Sequence, residues 1–340
     1  MPDFHTDRDN LPVLIGCGQL TDRRSPEEVA TPIELMAEAL RRAAADAGPG
    51  PELLQAADEL VAIGLTADSP DAQGLPSYAN VPALVASTLG ISPAARFYTA
   101  TGGNTPQMMV NNYAEKIARG ECDLVLLTGA ESLAGMMGRL KQGMDVSGWQ
   151  SEEGEPPQMA TTERLPATPH EVAHGIQLPA SVYPLFENAL RGKYAEDIAT
   201  HQRRLGELFH RFTRVAADNP LAWFPLERSP RELSEASEAN RYVGFPYTKF
   251  LNSIIQVNMG AALIMTSQRR ARELGVPEHR FVYLHGCGDA NDRWFLHDRE
   301  NFHSSPALRT IGAKALAMAG RSIDKIDYFD IYSCFPSAVQ

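Results

Sequence analysis

ARFYTATGGNTPQMMVNNYAEKIARGECDLVLLTGAES, residues 95–132, reads as strand, glycine turn, helix and strand. Ala95–Ala100 is short, apolar and aromatic. Residues 101–106, TGGNTP, interrupt it, and a helical segment then runs to Gly120. Residues 122–129, CDLVLLTG, are continuously apolar, as expected of a central strand covered on both faces. Consecutive strands joined through a helix imply parallel pairing in an α/β layered fold.

The rhythm extends outward from this stretch. Upstream, Val13–Leu20 reads as a buried strand, Ser25–Gly48 as a helix, Asp58–Leu65 as a strand and Tyr78–Leu89 as a second helix. Downstream, residues 134–180 have little periodicity and read as loops. Val182–Ala217 is helical again, and Asn219–Arg241 is irregular and proline-rich. Strand, helix and strand return at Gly260–Ser267, Gln268–Gly275 and Arg280–His285, followed by a helix over Ser305–Gly320 and a strand over Asp327–Tyr332. Leu35–Leu65 and Leu308–Ile331 echo one another, each an alanine-rich helix, an acidic turn and an apolar strand. Such an echo suggests two related halves.

The 340 residues are 44% hydrophobic and 21% charged, enough for a sizeable core without staples. A net charge of −11 argues against non-specific binding to nucleic acid or anionic membranes. No apolar run reaches the ~18 residues of a membrane helix. The polar start MPDFHTDRDN lacks a signal-peptide core, so the cytoplasm is the expected compartment. Cys17, Cys122, Cys287 and Cys334 are far apart and form no CxxC pair, which disfavours a disulfide framework or a zinc site.

Four segments, in this order, carry a family resemblance. They are Gly129-Ala130-Glu131-Ser132 after a turn and helix, the basic helix closing on Arg214-Val-Ala-Ala-Asp-Asn-Pro220, the small-residue strand Asn258-Met259-Gly260-Ala261-Ala262, and Ile326-Asp-Tyr-Phe-Asp-Ile-Tyr-Ser-Cys-Phe335. The chain resembles the thiolase superfamily, and is most similar to sterol-carrier-type thiolases and thiolase-like proteins of actinobacteria. The resemblance implies an α/β thiolase fold with α-β-α-β-α layers, two related halves and an inserted loop domain. It divides the chain into an N-terminal half at 10–133 and 255–279, a loop domain at 134–254 and the start of a C-terminal half at 280–340. The second half then lacks its last strands, so truncation of a longer chain is expected; an intact native mass of 37.2 kDa would exclude it.

The resemblance also assigns roles. The family's nucleophilic cysteine sits at a helix N-terminus, where the helix dipole favours a thiolate. Counting back from Gly120 places that position at Gly103, so the nucleophile is missing. Thr105 reads as the N-cap and Pro106 as the first helical residue. Gly102, Gly103 and Asn104 form either a tight turn needing positive φ or an anion and oxyanion site beside the helix. Tyr332 stands where the family has the Asn or His of its oxyanion arrangement, and Cys334 falls in the same block, as a candidate catalytic thiol or as packed core beside Phe335. His174 falls beside the expected pantetheine or is an exposed loop histidine, and Arg211 and Arg214 are the candidate cations for coenzyme A phosphates on a helix whose other basic residues read as a solvated face. No Gly-His-Pro motif occurs. His285 with Cys287, and His297, Asp298 and His303, read as loop and surface groups rather than as nucleophile or metal ligands.

The first functional expectation is a thiolase-like protein of acyl-CoA metabolism that binds acyl-CoA or coenzyme A without ordinary acetyl-CoA acetyltransferase activity. The alternatives are an acyltransferase using another residue or a partner subunit, and a non-catalytic scaffold. A homodimer is expected from the family's pairing through central strands.

Overall fold

The computed structural model describes residues 10–340 except 70, 71, 73, 153 and 163. The chain forms two compact units, one from the residues up to 163 with 255–285, the other from 164–254 with 286–340.

The first unit is built on a seven-stranded mixed sheet. Its strands are β1 (Pro12–Thr21), β2 (Glu59–Ala62), β3 (Ala95–Tyr98), β4 (Leu124–Ser132), β5 (Gln158–Met159), β8 (Asn258–Ser267) and β9 (Val282–Tyr283), in the spatial order β5-β3-β2-β4-β8-β1-β9. Parallel pairing, expected from the strand–helix alternation, holds for β5, β3, β2 and β4. β8 runs antiparallel to both β4 and β1, and β9 antiparallel to β1. Direction escapes the sequence pattern because a strand buried on both faces is apolar whichever way it runs. The outer edge of β3 is occupied by β5, which pairs with it at Phe97 and Tyr98.

Helix α1 (Pro32–Ala47) starts later than Ser25, because Thr31 and Glu34 form a reciprocal capping box at its N-terminus. Leu35, Met36, Leu40 and Ala43 bury one face of the sheet, together with α2 (Glu52–Gln55) and α3 (Val81–Leu89). Gly16 and Gly18 let α1 lie directly on β1: a Cβ at either would run into the carbonyl oxygens of Ala43 and Ala39. The other face is covered by α4 (Thr105–Ala118), whose Met109, Val110, Tyr113 and Ile117 pack on Val61, Val125, Leu127 and Met265. Residues 134–180 are not all loop, since α5 (Leu133–Lys141) and α6 (Pro169–Ala173) form within or beside them. α10 (Gln268–Glu273) follows β8.

The second unit holds α6, α7 (Pro179–Lys193), α8 (Ile198–Asp218), α9 (Pro230–Ser234), a hairpin of β6 (Tyr242–Gly244) and β7 (Tyr247–Thr248), and α11 (Pro306–Ala319). The single helix expected over Val182–Ala217 is two. Ala195 takes a left-handed φ of 53°, and Asp197 then caps α8 by accepting from the Thr200 N–H at 2.7 Å. The irregular stretch after it contains α9, closed by its own Ser229–Glu232 capping box. The expected strand over Asp327–Tyr332 does not form: among the described residues nothing pairs with it, and Tyr328 is 92% exposed. An apolar extended segment becomes a strand only when a neighbour accepts its ladder. No helix among the described residues is long and apolar enough to cross a membrane.

Candidate functional site

The carboxyl ends of the parallel strands β2, β3 and β4 gather the polar groups of the first unit. In open α/β sheets this is the edge where ligands bind. The loop after β2 is tied to the loop after β3 by three bonds. Thr99 Oγ1 accepts from the Gly64 N–H at 2.9 Å, Thr101 Oγ1 donates to the Leu65 carbonyl at 2.6 Å, and Tyr98 Oη accepts from the Leu65 N–H at 2.8 Å. Ala100 N–H donates to Thr161 Oγ1 at 2.7 Å. The Tyr98 phenol donates in turn to Asp68, and burial pushes its ionisation well above the usual tyrosine range.

Glu131, near the end of β4, points a largely buried carboxyl at the same loop. One of its oxygens accepts from both the N–H and the hydroxyl of Thr66, each at 2.6 Å. Burial raises its ionisation above the ordinary carboxylate range, and the two Thr66 bonds only partly offset it. Glu131 lies inside a quoted motif, yet it was not among the expected site residues, nor were Tyr98, Thr66 and Asp68. The signal that could have found it is an acidic residue at the carboxyl end of an otherwise apolar central strand.

Beside these groups α4 begins. The helix starts at Thr105 and not at Pro106; Asn104 is the N-cap, in αR geometry and without a side-chain bond. Thr105 is therefore the first helical residue, its N–H donating to the Gly102 carbonyl at 3.1 Å. The expected turn forms over Gly103 and Asn104, but neither glycine has the positive φ expected of it. A Cβ at Gly102 would be crowded, meeting Thr105 Oγ1 at 2.6 Å. Gly103 and Asn104 are exposed.

The remaining expected residues belong to the second unit. Tyr332 and Cys334 come together, sharing a hydrogen bond of 2.9 Å between Oη and Sγ. Burial and the neighbouring thiol raise the Tyr332 phenol. Phe335 is core, stacked on Tyr183 at 4.3 Å, and Cys334 packs partly against the same cluster. His174 closes α6, with Nδ1 donating to the His170 carbonyl at 2.8 Å. Arg211 and Arg214 lie exposed near the C-terminal end of α8. His297 donates from both its backbone N–H and Nδ1 to Glu171 at 3.1 Å. Although burial opposes it, these bonds and those from Thr168 bring the Glu171 carboxyl down to about 2. Among the described residues no group of three or more His, Cys, Asp or Glu could hold a metal ion.

No family model and no curated protein matches the chain. Among solved structures, it is similar to the monomeric SCP2-thiolase like protein type 1 of Mycobacterium smegmatis, with a TM-score of 0.79 and 32% identity over 97% of this chain. The chain spans 62% of the length of that protein. A chain of the Ltp2–ChsH2(DUF35) aldolase matches with a TM-score of 0.69 and 19% identity, over 97% of this chain and 75% of that one. Human mitochondrial 3-ketoacyl-CoA thiolase in complex with CoA matches with a TM-score of 0.56 and 14% identity, over 97% and 81%. The latter two show the shared fold. With an α/β sheet covered by helices on both faces, and with thiolases and an SCP2-thiolase like protein as structural neighbours, the chain has the thiolase fold.

Proposed function

We propose that this is a thiolase-like protein of acyl-CoA metabolism that binds coenzyme A or an acyl-CoA and does not run the ordinary acetyl-CoA acetyltransferase reaction. The observation that carries this reading is the loop before α4. A helix start at the carboxyl ends of three parallel strands holds Gly102, Gly103 and Asn104, with Gly103 at the proposed nucleophile position and no thiol. Two of the four cysteines, Cys122 and Cys17, are poor replacements. Cys122 is buried past the far end of α4, where burial and nearby acids push its thiol up to about 12. Burial and Asp46 also raise the thiol of Cys17. A thiol held protonated is a weak nucleophile.

The helix N-terminus still suits an anion or a carbonyl oxygen, with Gly102 and Asn104 as its edge. Exposed Arg211 and Arg214 are proposed to meet coenzyme A phosphates, and His174 to lie beside the pantetheine. Support comes from the fold shared with a thiolase that binds CoA. The test is thiolysis of acetoacetyl-CoA at micromolar enzyme, paired with calorimetric titration of coenzyme A. The expected result is no turnover and saturable binding, weakened about tenfold by R211A/R214A (~1.4 kcal/mol). Turnover abolished by thiol alkylation would overturn the reading.

A second reading is an acyltransferase completed by a partner subunit. The similarity to a chain of the Ltp2–ChsH2(DUF35) aldolase favours keeping it. It requires acyl transfer to appear when a partner is added.

A further inference from the structure

The second unit buries a hydrogen-bonded network of titratable side chains that none of the roles above uses. Glu187 on α7, His201 on α8 and Tyr247 on β7 are all fully buried. Glu187 Oε1 lies 2.7 Å from His201 Nε2, and His201 Nδ1 lies 2.7 Å from Glu196 Oε2. Arg204 completes the balance by donating to Glu196 at 2.9 Å. Glu187 also accepts from the Tyr247 hydroxyl and from Gln340 Nε2, each at 2.7 Å. A buried carboxylate is tolerated only when it is paired and its lone pairs are filled. Here two of the donors that fill them lie next to the Tyr332–Cys334 block. Tyr247 packs against Phe335 with ring centroids 5.5 Å apart, and Gln340 lies just beyond Phe335 in the chain. Ser253 N–H adds a backbone tie to the Cys334 carbonyl at 3.0 Å.

We infer that Glu187 is a positioning residue: through Tyr247 and Gln340 it holds the segment 335–340, and so fixes where Tyr332 and Cys334 present their paired hydroxyl and thiol. His201 Nε2, 2.7 Å from Glu187 Oε1, fills a further lone pair of this anchor. The functional weight of the inference rests on the role at the site that the family resemblance implies for Tyr332 and Cys334. The positioning itself can be measured without any ligand.

The experiment is alkylation by iodoacetamide of the wild-type chain and of E187Q, Y247F and Q340A, followed at Cys334 and Cys287 by peptide mass spectrometry. Each variant loses one hydrogen bond of the anchor. Cys334 is expected to react at least about tenfold faster in each, with the Cys287 rate unchanged. An unchanged Cys334 rate in all three overturns the inference. If E187Q speeds both thiols alike, as a loosened unit would, Y247F and Q340A decide, because they leave the Glu187–His201 pair in place. Unchanged Cys334 rates in those two then overturn it. Failure of coenzyme A to bind the wild type would sink the functional reading and leave this result standing.

Discussion

A side chain at Gly102 would be crowded, because its Cβ would lie 2.6 Å from Thr105 Oγ1, which would have to shift. G102A is therefore expected to cost about 1–3 kcal/mol, read as a lower urea midpoint. An alanine tolerated there without loss would mean that the loop before α4 is free to move aside. Glu131 makes a prediction with a definite sign. Its folded-state ionisation lies above the unfolded value, so the folded state binds the proton more tightly. Its contribution to stability is then most favourable at acid pH and declines as pH rises through the raised value. E131Q keeps an oxygen to accept from Thr66 and carries no charge, so it should gain on the wild type as pH is raised from 4 to 8. Urea unfolding at both ends of that range checks it. A gap that narrows with rising pH would show that Glu131 is held as a carboxylate. Glu171 has the opposite sign. Its carboxyl is lowered to about 2, so the stability it brings is present above the ordinary glutamate range and fades as pH falls toward 2. E171Q should be less stable than the wild type at pH 7, with the difference shrinking on acidification.

The close approach of α1 to β1 and the break between α7 and α8 are decided at the level of the element. At Gly18 a methyl group would collide with the backbone carbonyl of Ala39, which no rotamer change can relieve. G18A is expected to cost about 3 kcal/mol or more by separating helix from sheet. Thermal unfolding should show this as a large drop in Tm. The α7–α8 break depends on Asp197, whose carboxylate caps α8 at Thr200. D197A should cost ~1 kcal/mol. Faster amide exchange confined to the first turn of α8 would place that loss, whereas unchanged exchange there would argue against the cap. The glycines were legible as residue types, whereas the helix starts were displaced by up to several residues. The reasons for either were not legible, because a cap at Thr31 or a contact at Gly102 depends on which atoms the fold brings alongside.

For the molecule as a whole, the family resemblance led to a homodimer paired through central strands. In the first unit the outer edge of β3 is already paired to β5, and Ala160 N–H donates to the Tyr98 carbonyl at 2.7 Å. An edge covered from within its own chain is closed to a second copy. We therefore predict that these 340 residues stay monomeric, read by light scattering at tens of micromolar as a mass near 37.2 kDa. A doubled mass with new exchange protection over residues 95–98 would refute this.

The alternation of strands and helices in the first unit, the α/β class and the absence of a cysteine from the loop before α4 are properties of the sequence by itself. They rest on local apolar spacing, on glycine punctuation and on an ordered set of motifs, all of which survive in one dimension. Strand direction in β8 and β9, the closure of β3 by β5, and the burial of Glu187 between His201, Tyr247 and Gln340 were decided only by the tertiary structure. Each joins residues distant in the chain, as Glu187 and Gln340 are, and no local pattern reports which distant partner will satisfy a buried group. For the same reason Glu131 was visible in its motif while its partner Thr66, and with it the polar floor of the candidate site, was not.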